Sequence, residues 1–149
     1  MFFGIQKVMK QELISPPFYE YELLIREFHL DSYGHVNNAT YLALLEEARW
    51  EMITKNGYGL ERVKSLQIGP IILEISIRFL KELPLREKIK IRTKIAQLEK
   101  KIAPIYQEIW NENMELCACA TLKSGLFDLK NRKLIAPTLE WKNALGIST

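Results

Sequence analysis

Between positions 27 and 49 the chain reads EFHLDSYGHVNNATYLALLEEAR, which gathers most of its chemically active side chains. Asp31 opens a four-residue segment that Gly34 closes, the composition of a tight turn. His35, Val36, Asn37 and Asn38 follow and run straight into an amphipathic stretch. A carboxylate thereby stands near a helix start, where the first backbone N–H groups have no partner inside the helix. That pairing sets a candidate base or nucleophile, Asp31, beside amides able to receive developing negative charge. Gly34 and the N–H groups from His35 to Ala39 are the candidate oxyanion donors, each worth about 3 kcal/mol. A structural role competes for each residue. Asp31 can hold the turn as an Asx residue, and His35 can be a turn residue bonded to backbone. Asn37 or Asn38 can cap the helix.

The elements that must position these groups follow from periodicity. Residues 1–17 read as an arm closed by Ser15, Pro16 and Pro17. Residues 18–30 read as a strand rich in aromatic and aliphatic side chains. Over 38–56 the period becomes helical. Tyr41, Leu42, Leu44, Leu45, Ala48, Met52 and Ile53 make a broad apolar stripe, and Asn56-Gly57 is a stop signal. About 18 residues at 1.5 Å each give a helix of roughly 27 Å, the one long helix predicted. Period two takes over afterwards. Ile71, Leu73, Ile75, Ile77 and Phe79 alternate with Glu74, Ser76 and Arg78. Ile89, Ile91, Thr93 and Ile95 alternate with Lys88, Lys90, Arg92 and Lys94. Strands are expected at 103–110, 114–127 and 133–135, with a last helical turn or two over 138–145. Short connections make neighbouring strands antiparallel. A wide apolar helix face needs a sheet to cover it. The expected fold is α+β, a single curved antiparallel sheet around one central helix, with residues 18–149 forming one domain.

Composition narrows the function classes. A formal net charge of +3 and the lack of any basic block interleaved with aromatics argue against nucleic-acid binding. No run of 18 apolar residues marks a membrane span, and the N-terminus lacks the apolar centre of a secretory signal. A cytoplasmic location is the default. Cys117 and Cys119, two apart on a strand, are expected to point the same way as reduced thiols. With two histidines in the chain and no ligand spacing, no metal site is expected.

Asp31-Ser32-Tyr33-Gly34-His35-Val36-Asn37-Asn38, then Tyr41, then Glu46-Glu47-Ala48-Arg49, resemble the hot-dog acyl-CoA thioesterases of the 4-hydroxybenzoyl-CoA thioesterase type. The resemblance covers roughly residues 18–137. It departs at Asn38, where many relatives carry His, and at Arg86-Glu87, where many carry Gly-Asp. It implies hydrolysis of a thioester to a free acid and coenzyme A thiol, with no cofactor. Asp31 attacks the carbonyl or activates a water, and Gly34, His35 and Asn38 complete the catalytic group. His35 positions substrate or shares a proton, or stays a turn residue. Asn38 bonds the carbonyl or water, or caps the helix. Tyr33, Val36 and Tyr41 line the acyl site, or Tyr41 is plain core. Glu46 or Glu47 is a base in other hot-dog branches, and here is expected to pair with Arg49 or a strand. Lys88, Lys90 and Arg92 meet coenzyme A phosphates or are a solvated face. The acyl group arrives on coenzyme A or on an acyl-carrier protein, and a homodimer or homotetramer is expected. Two other outcomes remain open: a non-catalytic acyl-binding domain, and a hydroxyacyl dehydratase, whose His-Phe-Pro-Gly segment is absent.

Overall fold

The computed structural model describes residues 17–147. The expected N-terminal arm therefore lies outside the described residues, Pro17 excepted. Six strands and three helices follow in the order β1 (Tyr19–Leu24), α1 (Asn38–Lys55), α2 (Leu60–Leu66), β2 (Ile68–Phe79), β3 (Lys88–Ile95), β4 (Ile102–Trp110), β5 (Leu116–Asp128), β6 (Lys133–Ile135) and α3 (Leu139–Ala144). The strands form one antiparallel sheet in the order β1-β3-β4-β5-β2, with β6 paired to the end of β5.

Helix α1 starts and stops as its end residues dictate. The Asn37 side chain accepts the Ala39 N–H at 2.9 Å, so Asn37 is the cap and Asn38 the first helical residue. At the far end the Tyr58 N–H returns to the Ile53 carbonyl and the Gly57 N–H to that of Thr54. Gly57 has φ +88°, the left-handed conformation this closure needs. Tyr41, Leu44, Leu45, Ala48, Met52 and Ile53 are buried, whereas Leu42 of the expected stripe stays exposed. Beneath Tyr41, Leu44, Leu45 and Ala48 lie Ile89 and Ile91 of β3, Ile105 and Ile109 of β4, and Ala118, Ala120 and Leu122 of β5, while Met52 and Ile53 cluster with Tyr58, Leu126 and Trp141. The alanines let the helix approach the sheet centre. Burying each large aliphatic side chain contributes about 1.5–3 kcal/mol before chain entropy is counted.

A buried polar link fixes this packing. Gln107, 1% exposed on β4, donates to the Leu45 carbonyl of α1 and to the Thr93 hydroxyl of β3, both at 3.0 Å. It accepts from Arg49 Nη1 at 2.8 Å. Of the two partners expected for Glu46 or Glu47, Arg49 or a strand, the strand is the one hydrogen-bonded among the described residues: Glu47 accepts the Tyr21 hydroxyl of β1, while Glu46 accepts the Trp50 indole N–H within the helix.

Four expectations need correction. The first strand ends at Leu24, not residue 30, because a 3-10 turn at Glu27–His29 intervenes. There the Arg26 N–H donates to His29 Nδ1, and this local bond competes with strand pairing. Helix α2 was not expected. Seven residues with Val63 as the one buried side chain leave no readable period. A bulge between Ile72 and Glu74 breaks the alternation of β2. Ile75, Ile77 and Phe79 sit opposite Leu122, Ala120 and Ala118, while Leu73 is exposed. A second bulge lies in β5, where Cys117 is the extra residue opposite the consecutive Ile109 and Trp110 of β4. It puts Cys117 in the core beside Ala118, while Cys119 follows the outward alternation of Thr121 and Lys123. Both are free thiols, and burial pushes the Cys117 thiol up to about 11.

Candidate active site

The turn before α1 is built around the Asp31 backbone and carboxylate. Its N–H donates to the His35 carbonyl at 2.8 Å, and its carbonyl accepts from the Gly34 N–H at 3.2 Å. Gly34 has φ +83°, and a Cβ there would meet nothing within 4 Å, so glycine is required by conformation and not by space. Asp31 Oδ1 accepts the Tyr33 N–H at 2.8 Å and the His35 N–H at 3.4 Å. The Asx-turn role is therefore real, and it uses one carboxylate oxygen. Among the described residues Oδ2 accepts no hydrogen bond.

The helix start contributes the complementary group. The Ala39 N–H goes to the Asn37 side chain, and those of Thr40 and Tyr41 go to the Asn37 carbonyl. The Asn37 N–H goes to His29. The Asn38 N–H donates to nothing among the described residues. It is a free donor at the positive end of an 18-residue helix.

Both groups line one open basin of about 1110 Å³, walled by the Asp31 turn, the first turn of α1, the end of β2 and the β4–β5 turn. Tyr33, His35, Val36 and Tyr41 line it with Asp31 and Asn38. Tyr33 is 85% exposed at the mouth. Val36 is buried and its N–H bonds the Leu83 carbonyl at 3.1 Å. Tyr41 packs edge-on to Phe79 with ring centroids 5.0 Å apart. Burial pushes its hydroxyl up to about 12, with the Cys117, Glu82 and Asp31 charges adding to the shift, so it stays protonated at neutral pH. His35 Nε2 lies 3.1 Å from Glu82 Oε2, a partner that sequence spacing did not reveal.

The cationic stripe is not brought into this basin. Lys88, Lys90 and Arg92 are not among its lining residues. Their strand alternates with core Ile89 and Ile91, so they occupy the sheet face away from α1. There Lys90 lies 3.4 Å from both Glu20 and Glu22, and Arg92 3.1 Å from Glu20. Among the described residues no cluster of three His, Cys, Asp or Glu side chains is arranged to hold a metal ion.

One long helix wrapped by a sheet of strand order β1-β3-β4-β5-β2, with the Asp31 turn at the helix start, defines an α+β protein of the hot-dog class. The chain belongs to the Thioesterase-like superfamily, whose sequence profile matches residues 27–144. It is 32% identical over 116 residues to the long-chain acyl-CoA thioesterase FadM of Escherichia coli, covering 77% of this chain and 87% of FadM. It is 30% identical over 79 residues to the chloroplastic acyl-acyl carrier protein thioesterase ATL3 of Arabidopsis thaliana, spanning 53% of this chain and 42% of that protein. Among solved structures, YbaW of Escherichia coli superposes with TM-score 0.73 at 30% identity, covering 85% of this chain and 95% of YbaW. The protein SAV2348 of Staphylococcus aureus, solved in complex with CoA, shares the fold with TM-score 0.81 at 14% identity, covering 90% and 85% of the two chains.

Proposed function

We propose that this chain is an acyl-CoA thioesterase in which Asp31 and the Asn38 N–H act on the two atoms of one thioester carbonyl. The observation that carries the reading is their pairing in the basin. Both residues line it, and among the described residues Asp31 has one carboxylate oxygen without a protein partner and Asn38 a helix N–H without an acceptor. Asp31 attacks the carbonyl carbon or takes a proton from a water that does. The carbonyl oxygen gains charge and accepts the Asn38 N–H bond. Collapse of the tetrahedral species breaks the carbon–sulfur bond, and the thiolate leaves to be protonated. The net reaction adds one water and yields a carboxylic acid and a thiol. His35, held by Glu82, sits beside this path and is suited to position the thiol end of the substrate.

Coenzyme A is favoured over a carrier protein as the acyl donor. The relative that aligns along most of its length is named for acyl-CoA, whereas the carrier-protein enzyme matches over less than half of its own length. A coenzyme A substrate and free thiols suit a cytoplasmic enzyme of acyl metabolism. Strand β2 pairs only with β5, and its other edge carries no strand among the described residues. Twelve residues of open edge favour strand pairing with a second copy, a homodimer that tetramerises by stacking. The phosphate role of Lys88, Lys90 and Arg92 requires such a stacked copy, since within one chain they face away from the basin.

The test is thiol release from a panel of acyl-CoA esters by wild type and Asp31→Asn. Turnover by the variant should fall by about 10²–10⁴-fold with its melting temperature preserved, because an amide oxygen still accepts the Tyr33 N–H. A variant that kept near wild-type turnover would remove Asp31 from the chemistry. No thiol from any ester with the wild-type protein would leave the acyl-binding domain as the better reading.

A further inference from the structure

A second cavity, of about 280 Å³, is lined by the later turns of α1, the start of β2 and α3. It shares no lining residue with the basin. Trp50, Ile53, Ile72 and Trp141 give it apolar walls, and Arg49 and Glu46 are the charged groups on them. Arg49 is half-buried and held in place by Gln107, which is 1% exposed and accepts from Arg49 Nη1 at 2.8 Å. Among the described residues Nε and Nη2 of Arg49 have no hydrogen-bond partner, and no carboxylate forms an ion pair with the guanidinium. The Glu46 charge acts on it from one turn back, but that carboxylate accepts the Trp50 indole N–H instead. No buried side-chain nitrogen or oxygen lacks a partner among the described residues, so Nε and Nη2 are open to solvent beside the cavity that Arg49 lines. A partly desolvated cation without a counter-ion is costly, and an anion in the cavity would relieve that cost.

Geometry and size define the occupant. Nε and Nη2 form the side of a guanidinium that takes both oxygens of a carboxylate. Arg62 uses the same two nitrogens to hold both oxygens of Glu140 in this protein. A volume of 280 Å³ admits on the order of ten heavy atoms at ~30 Å³ each. Glu46 on the wall disfavours a second negative charge on the ligand. We propose that this cavity binds a small monocarboxylate with a compact apolar body, its carboxylate held by Nε and Nη2 of Arg49 and its body against Trp50, Ile72 and Trp141. The site is independent of the reaction assigned to the basin.

The test is calorimetric titration of the whole protein with cyclohexylacetate, with cyclohexylacetamide as its uncharged isostere and inorganic phosphate at pH 8 as a dianion. The acid should bind at about 1 mM or tighter, and the amide and phosphate at least about tenfold more weakly. It should change tryptophan fluorescence in Trp110→Phe as in wild type, because Trp50 and Trp141 line the cavity. Glu46→Gln removes a like charge at an exposed position and should tighten the acid by about threefold. Arg49→Lys keeps a cation but loses the paired donors, and should weaken it by about tenfold. Asp31→Asn should leave the affinity within about twofold, since Asp31 lines the other cavity. Equal affinity for acid and amide, or no saturable binding of the acid at about 10 mM, would overturn the proposal. So would an affinity that neither Glu46→Gln nor Arg49→Lys alters. Should Arg49→Lys lose its fold, Glu46→Gln and the amide decide. Binding that responded to Asp31→Asn and not to Arg49→Lys or Glu46→Gln would put the acid in the basin and reject this site.

Discussion

Asp31 and Asn38 stand at the two ends of one turn-to-helix junction and line the same basin, and among the described residues the Asp31 Oδ2 and the Asn38 backbone N–H have no partner. The Asp31 carboxylate commits Oδ1 to the turn and keeps Oδ2 free. Asn38 escapes capping because Asn37 takes that duty, so its N–H stays available. The local bonds that shape the junction thus leave over the two atoms to which the proposed carbonyl chemistry assigns its roles.

Asn38 permits a clean separation of backbone from side chain. It is the first helical residue, where proline is favoured, and Asn37 before it is already extended at φ −62° and ψ 141°. Asn38→Pro should keep the helix and remove the donor. Turnover is expected to fall by about 10²–10³-fold, with the melting temperature held or raised. Asn38→Ala keeps the N–H and should cost far less. If alanine and proline were equally damaging, the side-chain amide and not the backbone would be the donor.

Gln107 ties α1 to the sheet from a position 1% exposed. Gln107→Leu leaves the Arg49 guanidinium without its partner in a half-buried setting. Burial already holds the pKa of that group below its usual range. The expected loss is about 3 kcal/mol, read as a lower denaturation midpoint in urea. A variant as stable as wild type would show that the link contributes nothing net.

His29 makes stability depend on pH. Desolvation lowers its pKa below the usual 6.5, the nearby Arg26 charge adds to this, and Glu47 opposes it. The neutral ring is the folded form, since Nδ1 accepts the Arg26 N–H. Its contribution is complete above 6.5 and is lost as the pH falls through the lower folded value. The melting temperature should drop more steeply between pH 7 and 5 for wild type than for His29→Asn, whose Oδ1 can accept the same N–H (pH range set by the ordinary His value). Parallel curves for the two proteins would contradict this.

Lys90 tests the outer sheet face. Its ammonium sits between Glu20 and Glu22 near solvent. Lys90→Gln should leave the melting temperature nearly unchanged, because an exposed ion pair contributes little, and should leave KM for acyl-CoA within error, because the residue lies on the face opposite the basin. A several-fold rise in KM at unchanged kcat would place a coenzyme phosphate on this face, brought there by a second copy.

Much of the helix and its approach was legible in the amino-acid string. An Asn pair, a 3.6-residue apolar period and Asn-Gly at the end specify α1 to within a residue, since caps and period act over one or two turns of chain. Local signals failed where a single residue resets the pattern. The bulges in β2 and β5 flip the faces of Leu73 and Cys117 by pairing geometry that exists only once the partner strand is in place. Helix α2 carries too few turns to print a period at all.

By itself the order of residues determined the Asp31 turn, the helix that receives it and the alternation of the strands, because each depends on neighbours a few positions apart. Which Asn caps and which offers its N–H, that Glu82 holds His35, and that the lysine stripe faces away from Asp31 were decided by tertiary structure. These relations join segments distant in sequence, and only the packing of α1 onto the sheet sets their distances.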